Sequence, residues 1–116
     1  MSNTASSDKR ILVVEDDPLL ARALALRLAA MGYKVAGPVA TAREAVELAA
    51  RERTDLVLMD IVLSGKVDGI AAAQEILDKQ RVPLLYLTAY ADDEYFARAR
   101  LTAPYAYLIK PYSDRE

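Results

Sequence analysis

Four short runs of uninterrupted apolar residues punctuate the chain: Ile-Leu-Val-Val at 11–14, Leu-Val-Leu-Met at 56–59, Leu-Leu-Tyr-Leu at 84–87 and Tyr-Ala-Tyr-Leu-Ile at 105–109. Apolar runs without polar alternation are expected of strands covered on both faces. A weaker run, Tyr-Lys-Val-Ala-Gly at 33–37, predicts another strand. Between the runs the apolar positions switch to helical spacing. The first helix is predicted over 18–31, with Pro18 suited to its first turn and Gly32 to its C-terminal cap. The second opens on Thr-Ala-Arg-Glu, where Thr41 and Glu44 have capping-box spacing. The third follows Gly69, with Ile70, Ala73, Ile76 and Leu77 on one stripe. The fourth starts near Asp92–Glu94, acids that favour a helix N-terminus, and carries Tyr95, Phe96 and Ala99.

Strand and helix alternate with short connections, which predicts βαβ units and a parallel sheet with helices on both faces. The expected fold is an α/β, doubly wound (βα)5 sandwich of three layers. After the last strand the sequence reads Lys-Pro-Tyr-Ser-Asp-Arg-Glu, short of a mean helix of about 11–12 residues. The expectation is therefore a frayed tail over 1–9 and one domain over 10–116. Its final helix would be mostly missing, cut from a longer multidomain protein. A sheet face left partly bare would lower stability or leave a dimer open.

Composition narrows the chemistry. The 116 residues suffice for one domain with a real core, and 53% apolar with 28% charged residues fits a folded chain. No apolar run approaches the roughly 18 residues of a membrane span, so a cytoplasmic protein without membrane contact is expected. A formal charge of −2 offers no basic footprint for direct nucleic-acid binding. The absence of cysteine excludes thiolate zinc sites and disulfides. The absence of histidine removes histidine bases, histidine metal ligands and any phosphohistidine of this sequence's own. Carboxylates, hydroxyls and lysine remain.

Ligands of open parallel sheets bind beyond the carboxyl ends of the strands. The first strand runs into Glu15, Asp16 and Asp17, the third into Asp60, the fourth into Thr88 and Ala89, and the fifth into Lys110 and Pro111. Each has an ordinary reading alone; Asp17 before Pro18, for instance, is a natural helix N-cap. Together they are costly, since two carboxylates about 4–5 Å apart repel by roughly 3–4 kcal/mol at an effective dielectric of about 20. Lys110 can offset one charge, and a divalent ion the others. All-oxygen ligation without histidine suits a hard cation, Mg²⁺ or Mn²⁺.

The segments ILVVEDD, LVLMD, LYLTA and YLIKP, in this order, resemble the receiver domain of two-component response regulators over nearly the whole chain. The resemblance implies a flavodoxin-like fold and a phosphorylation-controlled signalling switch, a catalyst only of its own phosphorylation and slow dephosphorylation. It implies Asp60 as phosphoacceptor, and Glu15, Asp16, Asp60 and the Val62 carbonyl as metal ligands. Thr88, the Ala89 backbone and Lys110 would contact the phosphoryl group. Thr88 and Tyr107 would relay the switch to the surface of the fourth helix and fifth strand, and a cis peptide bond would precede Pro111. The donor would be a sensor histidine kinase or phosphotransfer domain, and the parent protein would carry an output or sensor domain.

Two departures stand out. The loop after Asp60 reads Ile-Val-Leu-Ser-Gly-Lys-Val-Asp-Gly, with Ser64-Gly65 where the family commonly has proline in a loop one residue shorter. It is expected to alter the surface near the donor more than the chemistry. Val62 and Tyr90 are poor positioners of water, which implies slow loss of the phosphoryl group. Two other functions are weighed: an interaction module that works without phosphorylation, and a magnesium-dependent phosphatase with an aspartyl nucleophile. The intact set of Asp16, Asp60, Thr88 and Lys110 speaks against the first. Val62, standing where such phosphatases usually place a second carboxylate, speaks against the other.

Overall fold

The computed structural model describes residues 8–64, 66, 68–88, 93–104 and 106–109, with the side chains at 88, 93–96 and 109 left aside. The apolar runs become strands β1 (Arg10–Val14), β3 (Leu56–Asp60), β4 (Leu84–Thr88) and β5 (Ala106–Ile109), joined by β2 (Lys34–Val39). All pair in parallel, in the order β2-β1-β3-β4-β5. The helices are α1 (Pro18–Ala30), α2 (Ala42–Arg51), α3 (Asp68–Lys79) and α4 (Asp93–Arg100). This is the expected flavodoxin-like sheet.

Side chains alternate across each strand, so one apolar run feeds two cores. Leu12, Val14, Val57, Met59 and Tyr86 pack on one face with residues of α2 and α3 and with Ala99 of α4. Ile11, Val13, Leu58 and Leu87 face the other way, against Leu24 and Leu28 of α1. On this second face a groove of about 550 Å³ remains, lined among others by Leu28, Leu56, Leu85 and Leu108. The expected final helix, beyond Lys110, lies outside the described residues. No helix among the described residues is long and apolar enough to cross a membrane.

The helix ends follow local chemistry. Asp17 caps α1, its side chain accepting from the N–H groups of Leu19 and Leu20, so the ordinary reading of this acid is what the structure shows. At the other end Gly32 takes a φ of 97°, which a glycine adopts without Cβ strain. There the Gly32 N–H bonds the Ala29 carbonyl and the Tyr33 N–H the Leu28 carbonyl, closing a Schellman motif. Thr41 caps α2 by accepting the Glu44 N–H at 3.1 Å. Glu44 reaches back to the Thr41 hydroxyl and, one residue earlier than expected, to the Ala40 N–H. Thr41→Ala is expected to cost about 1 kcal/mol, read as a lower urea midpoint with an unchanged slope.

β2 extends beyond the run at 33–37, through Pro38 to Val39. An edge strand can accommodate a proline because one side of it needs no ladder donor. Gly37–Pro38 is the cis peptide bond among the described residues; the bond before Pro111 lies outside them. The pairing shifts register between Leu12 and Val14, and Glu15 N–H donates to the Val39 carbonyl at 2.9 Å.

At the opposite end of β1, Arg10 N–H donates to Asp55 Oδ2 at 2.8 Å and the Arg53 guanidinium lies 3.3 Å from the same oxygen. That hydrogen bond holds the Asp55 carboxyl below its usual value, against a desolvation effect and with help from the charges of Arg53, Lys9 and Arg10. A carboxyl whose pKa falls on folding stabilises above its unfolded value and loses that contribution as pH drops through the folded one. Asp55→Asn should therefore lower the Tm at neutral pH, with the gap to wild type closing as pH falls below about 4.

Candidate functional site

Register brings the strand ends level. Val14 of β1 pairs with Met59 of β3, so Glu15 follows directly beside Asp60. Asp60 pairs with Leu87, and Thr88 with Ile109, the residue before Lys110. Three acids from two strand ends meet there: Glu15, Asp16 and Asp60 each offer an oxygen within 4.8 Å of the others. Glu15 and Asp60 are buried, each only 2% exposed, and Asp16 is half-buried.

Each of the three carboxylates accepts a backbone N–H. Glu15 Oε2 accepts from Asp17 at 2.9 Å, Asp60 Oδ1 from Val62 at 3.0 Å, and Asp16 Oδ2 from Ser64 at 2.6 Å. These bonds fix the carboxylate planes. They leave the acids crowded, with Coulomb repulsion that a cation would relieve. Oxygen donors in a cluster open on the Asp16 side fit a hard divalent ion. Asp17, turned toward its helix, stands outside the cluster.

The Ser64 contact went unread in the sequence, where Ser64-Gly65 registered only as a loop departure. Leu63 and Lys66 exchange two backbone hydrogen bonds, of 2.7 and 3.0 Å, across the turn. Ser64 within it has a φ of 52°, and its N–H reaches Asp16. The departure therefore bears on the acid cluster, not merely on the outer surface. Gly69, at the first turn of α3, lies so close that a Cβ would meet the Asp60 carbonyl oxygen at 1.8 Å. The bare hydrogen of glycine is what lets α3 start against the end of β3.

Of the other expected site residues, Tyr107 is half-buried on β5 and stacks on Tyr86, ring centroids 6.0 Å apart. Thr88 closes β4, described there by its backbone. Ala89, Tyr90, Lys110 and Pro111 lie outside the described residues.

The profile of the response regulator receiver domain matches residues 11–116. The transcriptional regulatory protein PdtaR of Mycobacterium tuberculosis is 40% identical over 109 residues, 94% of this chain and 53% of the relative. The chain thus spans about half the length of such curated relatives. A response regulator structure from Burkholderia pseudomallei, with a phosphorylated aspartic acid and a calcium ion, is 30% identical with a TM-score of 0.81. It covers 91% of this chain and 62% of that one. The receiver domain of sensor histidine kinase PA1611 from Pseudomonas aeruginosa, with magnesium in its active-site cleft, is 34% identical with a TM-score of 0.79. It covers 92% of this chain and 88% of that one.

Proposed function

The chain belongs to the response regulator receiver domain family, whose standard role is a phosphorylation-based switch, and from that premise we propose that Asp60 is its phosphoacceptor. The observation that carries this is the convergence of Glu15, Asp16 and Asp60 at one sheet edge. The family is one of signalling domains rather than enzymes in the ordinary sense.

Glu15, Asp16, Asp60 and the Val62 carbonyl are the ligands we assign to Mg²⁺ or Mn²⁺. Such an ion, when bound, neutralises charge on the phosphoryl oxygens. The chain's own part is positioning. The Val62 N–H holds the Asp60 carboxylate plane at the end of a rigid strand. An Asp60 oxygen attacks phosphorus, an O–P bond forms, and the P–N bond of the donor phosphohistidine breaks. The imidazole leaves neutral, carrying a proton on its other nitrogen. Thr88, the Ala89 backbone and Lys110 are proposed to hold the transferred group, and Thr88 with Tyr107 to relay its arrival.

Because the sequence lacks histidine, the donor is a histidine kinase or a phosphotransfer domain. The greater length of PdtaR supports an output or sensor domain in the parent protein, with residues 10–116 as the receiver and 1–9 as a leading tail. A cytoplasmic site of action fits such a donor. After incubation with acetyl phosphate and Mg²⁺, proteolytic mapping should place one acid-stable, base-labile phosphoryl group on the peptide containing Asp60. A phosphoryl group on any other peptide would refute the assignment.

A further inference from the structure

Tyr86 stands in the middle of β4 with its side chain fully buried, at 0% exposure. A phenol there must find a partner for its hydroxyl. It finds Thr102, just beyond α4, at 2.7 Å. Thr102 has a single hydroxyl proton, and that proton goes to the Ala99 carbonyl at 2.6 Å. Tyr86 is therefore the donor and Thr102 Oγ1 the acceptor. The same Ala99 carbonyl also accepts the Thr102 N–H at 3.0 Å. A chain of hydrogen bonds thus runs from the centre of the sheet to the last turn of α4.

The ring of Tyr86 does a second job. It stacks on Tyr107, its register partner on β5, with 23° between the planes. Ala99 alone is buried among the described side chains of α4. One methyl group and the Tyr86–Thr102 bond are hence the described attachments of that helix end to the core. Burial pushes the Tyr86 phenol up to about 12, the Thr102 bond pulling the other way, so the donor stays protonated near neutral pH.

We propose that Tyr86 is a positioning residue for the switch: its hydroxyl pins the end of α4 through Thr102 while its ring holds Tyr107, so that helix and aromatic shift together. The proposal rests on the reading of Asp60 as phosphoacceptor and Tyr107 as the responding aromatic.

The test compares wild type, Tyr86→Phe, Thr102→Val and the double variant. Amide exchange across 98–103 and the Tyr107 ring signals are followed by NMR, with and without acetyl phosphate and Mg²⁺, and adduct yield by intact mass. In either single variant, exchange at 99–103 should rise about tenfold before any phosphorylation, well beyond any change in the amides of β1 and β3. Adduct yield should match wild type, and the Tyr107 signals should respond to the adduct without the accompanying change in α4. The double variant strands neither hydroxyl, so its global stability should return toward wild type while the coupling stays lost. Unchanged α4 exchange in the single variants, or coupling restored in the double, would overturn the proposal. A wild type that forms no adduct would overturn the Asp60 reading itself, and the switch role with it.

Discussion

Gly69→Ala is expected to lower stability by about 3 kcal/mol or more, a large effect for the addition of one methyl group. The added Cβ would sit 1.8 Å from the Asp60 carbonyl oxygen and 2.9 Å from both the Asp60 carbonyl carbon and the Ile61 oxygen. All three atoms are backbone, so no side chain can swing aside. The Gly69 N–H also donates to the Ile61 carbonyl at 3.0 Å, and separating the two segments would strain that bond. Either α3 moves off the sheet or the end of β3 bends, and Asp60 moves with it. Urea unfolding should show a much lower midpoint, and the folded remainder should bind Mg²⁺ weakly. A wild-type midpoint with wild-type Mg²⁺ binding would mean that α3 does not press on Asp60 as described.

Asp16→Asn should act with opposite signs with and without metal. The substitution removes one of three clustered negative charges while an amide oxygen can still accept the Ser64 N–H. Asp16 is half-buried, so solvent screens the bare repulsion and the gain in the metal-free protein is about 1 kcal/mol. With the ion present, the lost attraction should weaken Mg²⁺ binding about 100-fold, equivalent to about 3 kcal/mol. Thermal melts separate the two effects: the variant should melt higher than wild type in chelator, and added Mg²⁺ should raise its Tm far less. A variant that melts lower in chelator and keeps the full Mg²⁺ increment would show that repulsion does not govern this cluster.

Much of this architecture was legible because β1 and β3 are buried on both faces. Ile11 to Val14 and Leu56 to Met59 read as strands for the same reason that they divide between two cores. The acids were legible by position, since the strand ends of a parallel sheet share one edge. Glu15, Asp16 and Asp60 do converge, and Asp17 turns out to be the cap that its neighbour Pro18 suggested. What stayed hidden depends on backbone geometry or on a single polar atom within an apolar run. Ser64 contributes through its N–H, which no side-chain pattern encodes. Gly69 reads as a helix start, but its close approach to Asp60 exists only after α3 has packed. Tyr86 looks like one more apolar strand residue, and its hydroxyl matters because Thr102, distant in pattern, closes over it. The run at 33–37 stopped short because Pro38 argues against a strand until the edge position of β2 is known.

The most direct measurement is intact mass after incubation with acetyl phosphate, with and without Mg²⁺, on wild type and on Asp60→Asn. One phosphoryl adduct on wild type, dependent on Mg²⁺ and absent from Asp60→Asn, is the expected result. An adduct that persists in Asp60→Asn, or forms equally well in chelator, would contradict the assignment of Asp60 and its neighbouring acids.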